Sequence, residues 1–157
     1  MTHAIVWEMP DGSIWITHPA DPNADINAIA AQVQAEIPDL VTATRKPDQL
    51  VTELPQSRRF RSCWRADGTG QPVVDMPLAR TQRLAEIRTE RNTRLDASDG
   101  LMARANELGG GPEIAAWETY RQALRDLPNN LVFNSVLDGL TTTNELEAYE
   151  PTWPLAP

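Results

Sequence analysis

Apolar positions change period along the chain, and each change marks an element. Residues 4–8 and 13–17 are rich in β-branched and aromatic side chains, and Pro10-Asp11-Gly12 between them has turn chemistry, which predicts a hairpin. Ile26, Ile29, Val33 and Ile37 then recur at helical spacing behind Asp25, a capping residue, and stop at Pro38. This predicts one helix lying on the hairpin. Residues 40–44 read as a strand, 47–55 as a connection with room for a helical turn, and 59–65 as a further strand by alternation. In that last run Phe60 and Trp64 share one face, while Arg59, Arg61 and Arg65 share the other. Asp67-Gly68-Thr69-Gly70 is a turn, and 72–76 closes a hairpin beyond it.

Beyond Asp75 the period becomes helical. A long helix is predicted from Leu78 to about Ala97, with a thin seam of Leu84, Ile87 and Leu95, filled in by the stems of Arg80, Arg88 and Arg91. Glu90 and Arg94 are spaced for an i,i+4 pair. Residues 99–108 read as a short separate helix, and Gly109-Gly110-Gly111 as the turn of a helical hairpin. The second arm, 112–128, has Pro112 and Glu113 at its start, Pro128 at its stop, and a stripe of Ile114, Trp117, Tyr120, Leu124 and Leu127 between them. The two arms would be about 30 and 24 Å long at about 1.5 Å per residue. After Pro128 the pattern weakens into an irregular tail holding Trp153 among prolines, to be ordered either by its own domain or by a partner. The expected fold is α+β: a small antiparallel sheet with one packed helix over 1–76, a helical hairpin over 77–128, and an irregular docking tail over 129–157.

Charge refines this picture. The 157 residues carry a net charge of -8, with -6 over 1–57, +5 over 58–94 and -7 over 95–157. An acidic chain with one basic band is a poor general nucleic-acid binder, although that band suits an acidic partner. A lone cysteine, Cys63, excludes an internal disulfide and fits a reducing compartment. No apolar run approaches the roughly 20 residues of a membrane span, and Met1-Thr2-His3 opens no signal peptide, so a soluble, cytoplasmic chain without a membrane partner is expected.

Candidate chemistry is sparse. Cys63, between Ser62 and Trp64, reads as a small packing residue rather than a nucleophile. His3, His18 and Asp21 fall short of the convergent ligands a metal needs, and Asp21-x-Asn23-x-Asp25 lacks the glycine and closing glutamate of a calcium loop. The triple glycine precedes Pro112 with no Gly-Lys-Ser/Thr, so it reads as a linker. No catalytic residue, metal or cofactor is expected, and enzyme activity is not. The arginines of 58–65 and 80–94 form either a solvated face or a site for phosphate or a carboxylate-rich surface. The stripe of Trp117, Tyr120 and Leu124 has the spacing of a core face, and one edge of it could also stay exposed for a ligand.

Residues 116–128, Ala-Trp-Glu-Thr-Tyr-Arg-Gln-Ala-Leu-Arg-Asp-Leu-Pro, closely resemble the Ala-Trp-x-x-Tyr-Arg-x-Ala-Leu-Arg-Asp-Leu-Pro motif of the bacteriophage tail assembly chaperone family. Phe60-Arg61-x-x-Trp64, Val74-Asp75-Met76-x-x-Ala79-Arg80 and the closing Trp153-Pro154 are similar, more weakly, to segments of related tail and tail-fibre assembly proteins. The chain departs from that pattern at Gly100, where a tryptophan commonly follows the aspartate, and in its longer triple-glycine connection. Residues 1 to about 57 carry no part of the resemblance. The resemblance implies a non-enzymatic tail protein that binds a tail-fibre or tail-tip protein, as an assembly chaperone in the host cytoplasm. With the apolar stripe, it points to Trp117, Tyr120, Arg121, Leu124, Arg125 and Trp153 as a docking surface. A homo-oligomer or a symmetric tail assembly is compatible with it, and nucleic acid is not an expected partner. A second reading makes the chain a permanent part of the virion tail tip or fibre, an adaptor or decoration held by its N-terminal sheet domain.

Overall fold

The computed structural model describes residues 2–157, except for the side chains of Leu131 and Val132. The chain forms two compact units, Met1–Ala79 and Arg80–Pro157.

The first unit is built around β1 (His3–Glu8), whose four central residues are all buried. Successive side chains of a strand point to opposite faces, so one strand can serve two cores. Ala4 and Val6 join Ile16, Leu54 and Trp64 in one. Ile5 and Trp7 join Ala30, Leu40 and Ala43 in the other, with Ile26, Ile29, Val33 and Ile37 packed against it. Antiparallel β2 (Ile14–Thr17) pairs with β1 in the register Ile5 to Thr17 and Trp7 to Trp15. Its turn passes through Gly12 at φ 79, a left-handed conformation that favours glycine, while Asp11 accepts hydrogen bonds from the Ser13 amide and hydroxyl. β1's other edge is shared by two short strands, β3 (Thr44–Arg45) at Trp7 and Glu8, and β4 (Gln49–Leu50) at His3 and Ala4. Helix α1 (Ile26–Glu36) is capped by Asp25, which accepts from the Asn27 and Ala28 amides. A separate hairpin pairs β5 (Trp64–Ala66) with β6 (Pro72–Val74).

Two expected strands are largely 3-10 turns, for one reason. Pro38–Thr42 is 3-10 helical because Leu40 and Ala43, three apart, are the buried pair, with Val41 between them 65% exposed. In the run 59–65, Phe60 and Cys63 are likewise buried three apart, so Arg61–Cys63 turns and only Trp64 onward is extended. The alternation expected over 59–65 is in fact a spacing of three.

In the second unit the long helix does not stop near Ala97. Helix α2 (Met76–Glu107) runs on for 32 residues, about 48 Å at about 1.5 Å per residue, and absorbs the separate helix expected at 99–108. Its first turn is capped by Asp75, which accepts from the Leu78 amide at 3.0 Å. Gly100 is carried inside it because Leu95, Met102 and Ala105 on either side all pack into one core with the next helix. α2 ends at Gly109 (φ 68), where the Gly110 amide donates to Ala105 and the Gly109 amide to Asn106. That pair of bonds is a Schellman cap, which favours glycine at the left-handed position. Helix α3 (Gly111–Asp126) follows with Pro112 in its first turn.

The tail is more regular than its composition implies. A 3-10 turn (Leu127–Asn129) leads to α4 (Leu131–Gly139) and α5 (Thr143–Ala148), and the residues after Ala148 are irregular. α5 starts with a reciprocal capping box: the Glu145 amide donates to the Thr142 hydroxyl, and the Glu145 carboxylate accepts from the Thr142 amide at 2.9 Å. The carboxylate also accepts from the Thr141 amide, and these donors hold its pKa below the ordinary 4.5. Phe133, Leu137 and Leu146 are buried, which explains why so polar a segment folds.

Candidate functional site

The residues expected to dock a partner all lie in the second unit, and the structure separates them into two groups. Trp117 (7% exposed), Tyr120 (8%) and Leu124 (0%) are core residues. With Ala105 they form a cluster that also holds Leu95, Met102, Ile114 and Trp153. The Trp117 and Tyr120 rings meet edge to face, 5.7 Å apart at 83°. An exposed aromatic stripe is therefore not what α3 presents. The reason is length: α2 continues past Gly100, so Met102 and Ala105 reach the stripe and cover it.

The cationic members behave differently. Arg121 is half-buried and reaches back to α2, donating to the Leu95 carbonyl at 3.2 Å, to the Ser98 hydroxyl at 2.6 Å and to Asp99. It clamps the helical hairpin, and the hydroxyl of Ser98, almost fully buried, donates a hydrogen bond to the Leu95 carbonyl. Arg125 is exposed and makes no ion pair among the described residues. Trp153 is half-buried under Arg94, whose guanidinium lies 4.4 Å from the ring centroid. The expected Glu90 to Arg94 pair gives way to this contact, and Glu90 pairs with Arg83 instead.

Arg83 is the functional-looking residue that the sequence pattern conceals. Its side chain is fully buried, with ion pairs to Glu90 at 3.1 Å and to Glu86 and Glu150 at 3.4 Å, and a 2.7 Å hydrogen bond to the Tyr149 carbonyl. A buried guanidinium carries a desolvation cost that only several well-placed acceptors offset. Here they come from its own helix and from the tail. Arg80 similarly donates through two nitrogens to the Leu140 carbonyl, at 3.0 and 2.7 Å, at the end of α4. Helix C-terminal carbonyls attract cations, so these two arginines tie down the ends of α4 and α5. Burial raises the Tyr149 pKa, and the Arg83 charge opposes that rise. The tail is thus held by its own unit. The i, i+3 and i+7 spacing of Arg83, Glu86 and Glu90 was visible in the sequence, but Tyr149 and Glu150 were not foreseeable as partners.

What remains open is an exposed groove of about 790 Å³ between Met102 and the outer flank of α3. Glu118, Arg121, Gln122, Arg125 and Asp126 line it with the apolar Met102 and Ala123, so two of the expected site residues meet here. Gln122 donates to Asp126 at 2.8 Å, which leaves Arg125 as a cation facing solvent. Such a surface offers electrostatic and hydrogen-bonding recognition. Among the described residues no group of histidine, cysteine and carboxylate side chains could hold a metal, and no helix is long and apolar enough to cross a membrane. Cys63 is buried in the first unit.

The match to known proteins falls on this same part of the chain. The sequence model of the phage tail assembly chaperone protein family matches residues 84–157, from the third turn of α2 onward through the hairpin, α4, α5 and the C-terminal residues. This supports a role in phage tail assembly. Neither a curated protein nor a solved structure matches the chain.

Proposed function

We propose that the chain is a non-enzymatic assembly chaperone that binds a tail-fibre or tail-tip protein through the groove on the outer flank of α3. The observation that carries this reading is that the family match coincides with a unit whose aromatic stripe is consumed internally, leaving a mixed groove with the unpaired Arg125 at its edge. Arginine beside a partly apolar groove is the kind of group that anchors an interface. Arg121 shapes the surface from within, and Trp117, Tyr120, Leu124 and Trp153 support it as packing.

The test is co-purification of the chain with each tail-fibre and tail-tip protein encoded by the same phage. Capture of one of them is expected, and Arg125→Glu should weaken it about tenfold or more with the circular dichroism unchanged. Unchanged capture by that variant overturns the groove, and failure to capture any tail protein overturns the docking reading. A permanent virion subunit is the second reading, favoured by the separate compact unit Met1–Ala79, all of which lies outside the family match. Mass spectrometry of purified virions distinguishes them: stoichiometric recovery supports the subunit, and near absence supports the chaperone.

A further inference from the structure

Residues 150–157 are attached to the second unit in a way that its helices are not. Among the described residues none of their amides donates a hydrogen bond, and Pro151, Pro154 and Pro157 have no N–H to give. Tyr149 is the fixed end. Its carbonyl accepts from Arg83 at 2.7 Å, and its ring lies 6.0 Å from that of Phe133. Beyond it two side chains do the seating: Pro151, which is buried, and Trp153, which is half-buried. Trp153 packs on the cluster of Ala105, Trp117, Tyr120 and Leu124, and the guanidinium of the exposed Arg94 lies 4.4 Å from its ring centroid. Glu150 adds an ion pair to Arg83 at 3.4 Å, but its own side chain is 70% exposed, where such a pair contributes little. Leu155 is 93% exposed. The hairpin beneath has its own ties: the glycine cap at Gly109, the Arg121 bonds to Leu95, Ser98 and Asp99, and the fully buried Ala105 and Leu124.

We propose that residues 150–157 are a releasable strap: hinged at Tyr149, they leave the α2–α3 core and return to it without either helix unfolding, and while seated they cover the aromatic cluster. Each proline fixes its own φ, so the segment gives up little freedom on seating, and the few contacts that hold it are all that release must break. With the strap away, Trp117 and Tyr120 offer ring surface in the same cluster as Met102, which also lines the groove. Tryptophan and tyrosine are preferred anchors of interfaces, so the seated strap is an autoinhibitory cover. Only that use rests on the docking reading, and the release itself does not.

The strap is tested without any tail protein, in the full chain carrying Trp153→Ala. The probe is a synthetic octapeptide, Glu-Pro-Thr-Trp-Pro-Leu-Ala-Pro, the sequence of residues 150–157. The variant should keep the circular dichroism of the parent, while the assigned indole N–H signal of Trp117 in a nitrogen-15 correlation spectrum moves. Added peptide should return that signal saturably towards its parental position, and the same peptide with alanine in place of tryptophan should not. In the parent the seat is filled by a tethered copy at an effective concentration on the order of millimolar, so a response there should need at least about tenfold more peptide. Adding Arg94→Gln to the variant should weaken peptide binding about twofold to fivefold. Loss of helicity in Trp153→Ala overturns the proposal, because the residue is then core and not cover. So does a Trp117 signal that stays in place, ignores the peptide, answers it equally in parent and variant, or answers it unchanged after Arg94→Gln.

Discussion

Two glycines nine positions apart should respond to alanine with opposite signs. Gly100 lies inside α2, and a Cβ built there meets nothing within 4 Å. Alanine at a helix interior is better than glycine by about 0.8–1.0 kcal/mol, so Gly100→Ala should stabilise the second unit by about that amount. Gly109 has equal space around it, but its φ is 68. An L-residue forced into the left-handed region costs about 1–2 kcal/mol, offset in part by the roughly 0.4–1 kcal/mol gained from a stiffer unfolded chain. The net expectation is a loss of up to about 1.5 kcal/mol. Because neither position has a neighbour to clash with, the gap between the variants, about 2 kcal/mol, is a backbone effect alone. Urea titration followed by circular dichroism at 222 nm, where α2 to α5 dominate, measures it. If Gly100→Ala destabilises, α2 is broken there and the hairpin core has been misassigned. If Gly109→Ala is neutral, the helix does not end in the glycine cap.

Two further outcomes follow from packing and capping. Leu124→Ala removes a fully buried side chain from the α2–α3 core and should cost about 2–5 kcal/mol in the same titration, whereas Leu124→Met should cost less than about 1.5 kcal/mol; similar values for the two would mean that the site is not close-packed. Glu145 has a folded pKa below its ordinary 4.5, chiefly through the Thr141 and Thr142 amides, so its contribution is whole above 4.5 and is lost as pH falls through the lowered folded value. Glu145→Gln should accordingly lose less stability than the parent between pH 5 and pH 3, and parallel pH profiles would refute the capping assignment.

How much of this was readable beforehand depended on whether a partner was local. The β1–β2 hairpin, α1 with its Asp25 cap, the Asp75 start of α2 and the limits of α3 each rest on signals within a few residues of the element itself. The misread stretches are those where a distant surface chose among local options. Leu40 and Ala43 turn because both must reach the layer beneath β1, and Gly100 stays helical because α3 packs on both sides of it. The site followed the same rule. The periodicity of Trp117, Tyr120 and Leu124 was plain, but periodicity shows that a face is covered and not by what; Met102 and Ala105 took that place. Arg83 and Arg80 could not be told from solvated arginines, because the contacts that tie them to the tail are with backbone carbonyls some sixty residues away.

The two-sided burial of β1 has a consequence for how the first unit can fail. Were the strand to slide by one residue against β2, Ile5 and Trp7 would be delivered to the layer shaped for Ala4 and Val6, and a tryptophan would have to occupy the space of a valine or an alanine. Neither neighbour could absorb the error, since both cores take alternate side chains of the same strand. A misaligned first unit is thus not a slightly worse version of the native one but a different, poorly packed object, and the amide protons of Ile5, Val6 and Trp7 should be among the last in that unit to exchange with solvent.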